Sequence, residues 1–140
     1  DIWSMTSVNE VARGGHKAAR RNMMNPAEEP EVPYVTQCLA PTEGPIIAAT
    51  DYIRAHTNQI REFMPRSFTV LGTDGFGRSD TRAQLRECFE VDRRYVVLAA
   101  MTALADEGVV SRADVAKVMT DLGIDPAKPD PTTVCGRRCR

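Results

Sequence analysis

An apolar run followed by a glycine-rich turn and a helical pattern constrains the fold of this chain more than any other feature. The run Phe68–Leu71 is short and apolar, and its two central residues are β-branched, as is common in buried strands. Ser79 or Asp80 is a candidate N-cap for the helix that follows, and Thr81 and Gln84 have the spacing of a capping box. This order is typical of the strand–loop–helix half of an α/β unit.

The turn between this strand and this helix holds the candidate functional residues of the chain. They are Gly72, Asp74, Gly75, Phe76, Gly77 and Arg78. The glycines allow positive φ or close approach of another backbone, and a loop of this kind can also direct backbone N–H groups at an anion. The spacing G-x-x-G-x-G matches neither the dinucleotide fingerprint nor the P-loop. The sequence therefore favours a tight structural turn and leaves an anion site or a partner contact open.

Two side chains of the turn suggest contact with another surface. A large aromatic residue between glycines is a poor choice for a solvated turn, so we expect Phe76 to pack against another domain or subunit. We expect Arg78 to pair with a carboxylate, Asp80 among the candidates. The competing interpretation is that these side chains only hold the shape of the loop.

The middle of the chain repeats the strand–helix order. Residues 45–49 form a second apolar run, and the following segment has Thr50 as a candidate N-cap and an apolar stripe from Ile53 to Met64. A β-α-β-α order predicts parallel strands that are covered by helices on both faces.

The N-terminal part is predicted to contain one strand and a short helix. Asp1–Thr6 is predicted to be a strand, because Ile2 and Trp3 are too apolar for a free tail. Ser7–Arg13 is predicted to be a short helix that ends at Gly14–Gly15, and Pro33 is placed to begin another.

The C-terminal part is predicted to be helical. Asp92 caps a helix that is apolar nearly all round, so we expect it to be buried on more than one side. Ser111 and Asp114 predict the capped start of an amphipathic helix, which Gly123 ends. From residue 125 to residue 140 the chain is rich in proline and then basic, and we expect disorder.

Composition limits the classes of function. At 140 residues the chain is one domain or less, and its net charge of −1 argues against general nucleic-acid binding. No apolar run approaches the length of a membrane span, and no secretory signal opens the chain. Cys38 and Cys88 fall in apolar helical patterns and are predicted to be buried free thiols of a reducing cytoplasm.

Individual residues do not assemble into a catalytic or metal site. His16 and His56 lack a neighbouring histidine or paired cysteine, which favours solvated or core histidines over ligands. Cys135 and Cys139 have a spacing compatible with metal, but a zinc site needs four ligands and no second pair accompanies them. We therefore assign no catalytic, cofactor-binding or metal residue from the sequence.

Several ordered segments resemble a known family. The resemblance covers residues 1 to 131 and is carried by Asp1–Ser7, Val32–Val35, Ala48–Tyr52, Leu71–Thr81, Phe89–Asp92 and Gly123–Pro126. These segments are similar to the homodimeric bacterial decarboxylating component of the pyruvate dehydrogenase complex. Residues 132–140 diverge from that pattern and form a basic tail, which we expect to be disordered.

The resemblance implies a place within a larger enzyme. Members of this family have three domains, like transketolase, with thiamine diphosphate and magnesium bound by the first and the cofactor-activating Glu in the second. This chain resembles the third, C-terminal domain, which has a three-layer α/β/α fold with a mostly parallel sheet. It is expected to lack the first two strands, one of which would lie between Asp1–Thr6 and residues 45–49. No family catalytic or cofactor residue falls on a position of this chain.

The resemblance also implies a function. The full-length enzyme decarboxylates pyruvate, a product of glycolysis, and transfers the acetyl group to a lipoyl group of the acetyltransferase component in the cytoplasm. This segment is expected to serve in packing and dimer contact, and to be inactive and free of cofactor alone. Its expected partners are the other domains, the second subunit and the acetyltransferase component, without nucleic acid or membrane. The alternative is a stand-alone, non-catalytic binding or assembly module.

Overall fold

The computed structural model of the chain describes residues 1–134. Its helices and strands are α1 (Val8–Met24), α2 (Tyr34–Leu39), β1 (Ile46–Ala49), α3 (Arg54–Asn58), β2 (Phe68–Leu71), α4 (Arg82–Cys88), α5 (Arg93–Asp106) and α6 (Arg112–Asp121), with a 3-10 helix at Arg61–Phe63. Among the described helices, none has the length and apolar character needed to cross a membrane.

The two strands pair in parallel, and this confirms the predicted α/β class. Ile46 lies opposite Phe68, and Ala49 lies opposite Leu71. Helix α5 contacts both strands, while α1 and α2 share a core with β2. In the described part of the chain the sheet consists of these two strands, which is consistent with an α/β fold that lacks some of its strands.

The main hydrophobic core lies between β2 and the N-terminal helices. Its buried members are Ala12, Val35, Ile60, Phe63, Phe68 and Val70. Phe68 and Val70 point to this core because side chains alternate along a strand. Thr69 and Leu71 point to the opposite face, where they line a groove against α5.

The predicted strand at Asp1–Thr6 is wrong. This segment has no regular secondary structure, and Ile2 and Trp3 are 103% and 60% exposed. A strand is stabilised by hydrogen bonds to a neighbouring strand, and no described segment pairs with these residues. Local apolar character was therefore insufficient to form the strand.

The predicted break at Gly14–Gly15 is also wrong, because α1 runs through both glycines. Ser7 caps the helix by accepting the Glu10 N–H, and the helix ends before Pro26. Gly15 is buried, and a Cβ atom there would overlap the ring of Phe63. The glycine thus serves the contact between α1 and the core rather than the end of a helix.

Two other helix starts differ from the prediction. Helix α3 begins at Arg54 with Ile53 at its N-cap, so Thr50 is not the cap and instead accepts the Tyr52 N–H. Helix α4 is capped by Thr81, whose hydroxyl accepts the Gln84 N–H, rather than by Ser79 or Asp80.

The C-terminal helices begin where the sequence predicts. Asp92 caps α5, and Ser111 and Asp114 form a capping box at α6. Helix α5 packs against the sheet and against α6, as predicted, but this burial is incomplete, since Ala103 is its one buried residue and Val97 is 44% exposed. Helix α6 and the sheet cover only part of its surface.

Residues 125–131 have defined contacts, so the disorder predicted for them is wrong, whereas the disorder of the tail from residue 132 onward stays a prediction. The Lys128 side chain is only 10% exposed and binds Glu90. The predicted tail at Cys135–Arg140, including its metal-like cysteine spacing, lies outside the described residues. Cys38 is a free thiol as predicted, but it is half-buried rather than buried. Cys88 is buried as predicted, but it is disulfide-bonded, which corrects its predicted thiol state.

Candidate functional site

Two loops leave the sheet at the same edge and form the candidate site. One runs from Thr50 to Ile53 after β1, and the other follows β2 and contains the candidate residues from Gly72 to Arg78. The strands are parallel, so both loops lie at the carboxyl ends of the strands. Open α/β sheets commonly bind ligands or partners at this edge.

Thr73 and Gly72 fasten the second loop to the first. The Thr73 N–H donates to the Tyr52 carbonyl oxygen at 2.9 Å, and the Thr73 hydroxyl donates to the Asp51 carbonyl at 2.8 Å. A Cβ on Gly72 would lie 2.7 Å from the Tyr52 carbonyl oxygen. Glycine is therefore required at position 72 for close backbone approach.

Asp74 connects the same loop to α3. Its Oδ2 atom accepts the Arg54 backbone N–H at 2.9 Å and the Arg54 Nε–H at 3.0 Å. The carboxylate thus lies at the start of a helix, where free N–H groups favour negative charge. Within this chain, Asp74 supports the shape of the loop.

The remaining glycines differ from each other. Gly75 has a φ of +133°, and a Cβ there would lie 2.6 Å from the Pro131 carbonyl oxygen. Around Gly77, by contrast, the space within 4 Å of an added Cβ is empty. Position 75 therefore requires glycine both for its positive φ and for the close approach of Pro131, whereas neither constraint applies at position 77.

Three apolar side chains are exposed on the two loops. They are Tyr52, Ile53 and Phe76, at 66%, 54% and 52% exposure. Arg78 beside them is half-buried, and Asp80 accepts the Thr81 N–H at 2.8 Å. The loops therefore combine a braced backbone with uncovered apolar side chains.

The potential metal-ligating side chains are dispersed in the part of the chain that the structure describes. No group of three or more His, Cys, Asp or Glu side chains converges among them. His16 packs edge-on against Phe63 with ring centres 5.2 Å apart, and His56 lies 4.9 Å from the Tyr52 ring. Both histidines have packing partners, and we derive no catalytic step from them.

A groove of about 270 Å³ lies between β2 and α5, and sequence reasoning missed it. Leu71, Leu98 and Ala103 line it together with the Tyr95 phenol. Burial, together with the charge of Glu90, raises the pKa of Tyr95 to about 12. The groove is also lined by Thr69, Glu90, Thr102 and Asp106, and we assign no catalytic role to it.

The fold and the site define an α/β domain with a braced loop pair at the carboxyl edge of a parallel sheet. A sequence profile described as the transketolase-like TK C-terminal domain matches residues 1–92. Since the match covers more than half of the chain, the chain belongs to this family.

Curated relatives extend the similarity to nearly the whole chain. The pyruvate dehydrogenase E1 component of Cupriavidus necator is 52% identical over 134 residues, which are 96% of this chain and 15% of that protein. The proteins of the same name from Pseudomonas aeruginosa and Escherichia coli K12 are 48% and 44% identical over 94% of this chain, and again 15% of each protein is covered. The chain thus spans about 15% of the length of the relatives it matches.

Proposed function

We propose that this chain is a C-terminal part of a thiamine-diphosphate-dependent pyruvate dehydrogenase decarboxylating component. The complete enzyme would decarboxylate pyruvate in the cytoplasm and transfer the acetyl group to the lipoyl group of the acetyltransferase component. Thiamine diphosphate and magnesium would bind elsewhere in that enzyme. Proteins named pyruvate dehydrogenase E1 component, which are identical to this chain at about half of the aligned residues, support this proposal.

In this proposal the chain contributes packing and subunit contact rather than catalysis. The observation that carries it is the exposed ring of Phe76 on a loop whose backbone is already fixed. Asp74, Thr73 and Gly72 hold the loop from within the chain, so its shape does not require Phe76. An exposed aromatic residue on a rigid loop is typical of a contact surface.

A chimeric enzyme tests the proposal. Residues 1–131 replace the matching segment of the Cupriavidus necator protein, and the chimera is assayed for sedimentation and pyruvate decarboxylation. We expect an active, assembled enzyme. Phe76→Ala should weaken assembly roughly tenfold to a hundredfold, the equivalent of losing one buried Phe. Val109→Ala, which alters an exposed apolar residue near the start of α6, is the matched control.

Two results would contradict the proposal. One is a chimera that fails to assemble while the re-joined native segment succeeds. The other is a Phe76→Ala chimera with unchanged assembly and turnover, which would leave the loop a plain turn.

The second candidate is a stand-alone, non-catalytic binding or assembly module. The observation in its favour is that the described residues build a hydrophobic core of their own around Ile60 and Phe63. A failed chimera together with a sharply folding monomeric chain would favour the module.

A further inference from the structure

The segment Asp125–Pro131, called the strap below, runs from the end of α6 to the glycine loop. Gly123 has a φ of +64° and turns the chain out of α6, and Ile124 is buried just before the strap. At the other end, the carbonyl oxygen of Pro131 occupies the space that a side chain on Gly75 would need. The strap therefore packs directly against the glycine loop.

Lys128 fixes the middle of the strap. Its Nζ atom donates to the Cys88 carbonyl oxygen at 2.9 Å and to Glu90 Oε1 at 2.7 Å. The same atom lies 5.6 Å from the centre of the Tyr95 ring, within the range of a cation–π contact. A buried ammonium is costly unless it is paired, and here both acceptors come from the junction between α4 and α5.

Glu90, in this junction, has a left-handed backbone conformation. Its φ of +61° is the one positive value among the described non-glycine residues. It follows α4 at a position where glycine is usually favoured, and the Val91 N–H donates to the Arg86 carbonyl oxygen at 3.0 Å. A left-handed Glu persists where surrounding contacts hold it, and Lys128 supplies such a contact.

The end of the strap also lies near the start of α3. Hydrogen bonds from Thr132 lower the pKa of Asp130, and the charge of Arg54 acts in the same direction. Arg54 in turn binds Asp74 of the glycine loop. The strap thus contacts the glycine loop through Pro131, and the glycine loop contacts α3 through Asp74.

We infer that Lys128 is a positioning residue for the glycine loop, because it holds the strap so that Pro131 packs on Gly75 and fixes the loop that presents Phe76. The inference deepens the proposed function, since this loop is the proposed contact surface. The contacts that support the inference all lie within this chain, so it can be tested without the complete enzyme.

Hydrogen–deuterium exchange of the 140-residue chain, measured at a low concentration and temperature that limit its association, tests the inference. Lys128→Met keeps an apolar stem and removes the ammonium group. We expect exchange of the peptide covering residues 72–78 to increase severalfold, while the peptide of α1 remains unchanged. Lys117→Met, which alters an exposed lysine on α6, is the matched control and should change neither peptide.

Gly15→Ala separates a local effect from general loss of stability, because it disturbs the contact with Phe63 in the main core. Equal exchange of the loop in Gly15→Ala and Lys128→Met, at matched stability, would overturn the inference. So would an unchanged loop in Lys128→Met.

A reciprocal pair tests the coupling from the side of the loop. Gly75→Ala should increase exchange of residues 125–131, whereas Gly77→Ala should not, because an added Cβ at Gly77 meets no atom within 4 Å. Equal behaviour of the two variants would contradict the inference. These measurements do not involve assembly or turnover. Their outcome therefore does not depend on whether the chimeric enzyme assembles.

Discussion

One carboxylate oxygen of Asp74 accepts both the backbone N–H and the side-chain Nε–H of Arg54, at 2.9 and 3.0 Å. The two residues follow different strands and are 20 positions apart in the sequence. This pair therefore joins the two loops at the carboxyl edge of the sheet, and it is one of the contacts that hold the loop of Phe76.

Asp74→Ala should destabilise the chain by about 1–2 kcal/mol, because it removes two charge-assisted hydrogen bonds from a partly exposed pair. Urea denaturation measures the change. Asp80→Ala in the same loop is the control, since Asp80 is exposed and binds the adjacent Thr81 N–H. Equal loss of stability in both variants would contradict the bracing role of Asp74.

Gly14 and Gly15 should respond in opposite directions to alanine. Gly14→Ala should stabilise the chain by about 0.5–1 kcal/mol, because the position is helical and open. Gly15→Ala should destabilise it by about 1–3 kcal/mol, because the new methyl group overlaps Phe63. Thermal denaturation of both variants provides the comparison, and a stabilising Gly15→Ala would show that the α1 contact is wrong.

Acid should destabilise the chain partly through Asp92. Burial alone would raise the pKa of Asp92, but hydrogen bonds from the Arg94 side chain and backbone and from the Tyr95 N–H lower it below its ordinary 3.8. The folded state thus binds this proton more weakly than the unfolded state, so stability present above pH 3.8 is lost as pH falls through the lowered pKa.

Asp92→Asn should therefore reduce the acid dependence of stability below about pH 4 while the helix keeps a good N-cap. Urea titrations at several pH values measure this. Some acid dependence should remain, because the pKa values of Asp114 and Asp130 are also lowered, chiefly by hydrogen bonds from Ser111 and Thr132. An identical loss of stability at acid pH in wild type and variant would show that Asp92 does not contribute to it.

The isolated chain should fold marginally and aggregate. The outer edge of β1 has no partner in the described part of the chain, and open apolar edges promote association. Each unsatisfied buried backbone group costs about 1–3 kcal/mol, against a total stability of about 5–15 kcal/mol for a domain. We expect dye binding and a broad thermal transition. A sharp two-state transition of a monomer without dye binding would disprove this.

Tryptophan fluorescence gives a second measure of the same state. Trp3 is the single tryptophan of the chain and is largely exposed. Its emission should already resemble that of a solvated indole before denaturant is added. A blue-shifted emission that moves to longer wavelength on unfolding would instead place Trp3 in a packed environment.

The isolated chain should bind neither thiamine diphosphate nor magnesium, because its described residues bring no group of three acidic, histidine or cysteine side chains together. Calorimetric titration with both compounds measures this directly. Saturable binding with a dissociation constant of about 1 μM would show that part of the cofactor site lies within this chain.

Local chemistry was enough to predict several elements. Asp92 and Ser111 begin their helices as expected, since a capping side chain and its target N–H groups lie within three residues of each other. The two apolar runs became parallel strands at nearly the predicted bounds. The position of the candidate loop at a sheet edge follows from these strands.

Tertiary contacts decided the rest. Glycine is required at position 15 because Phe63, distant in sequence, fills the space beside it, and Asp1–Thr6 is not a strand because a strand requires a neighbour. The brace between Asp74 and Arg54 and the contact of Lys128 with Glu90 join residues 20 and 38 positions apart. The sequence alone determined the starts of α5 and α6 and the two strands, because those signals are local, and only the folded chain determined which distant groups meet.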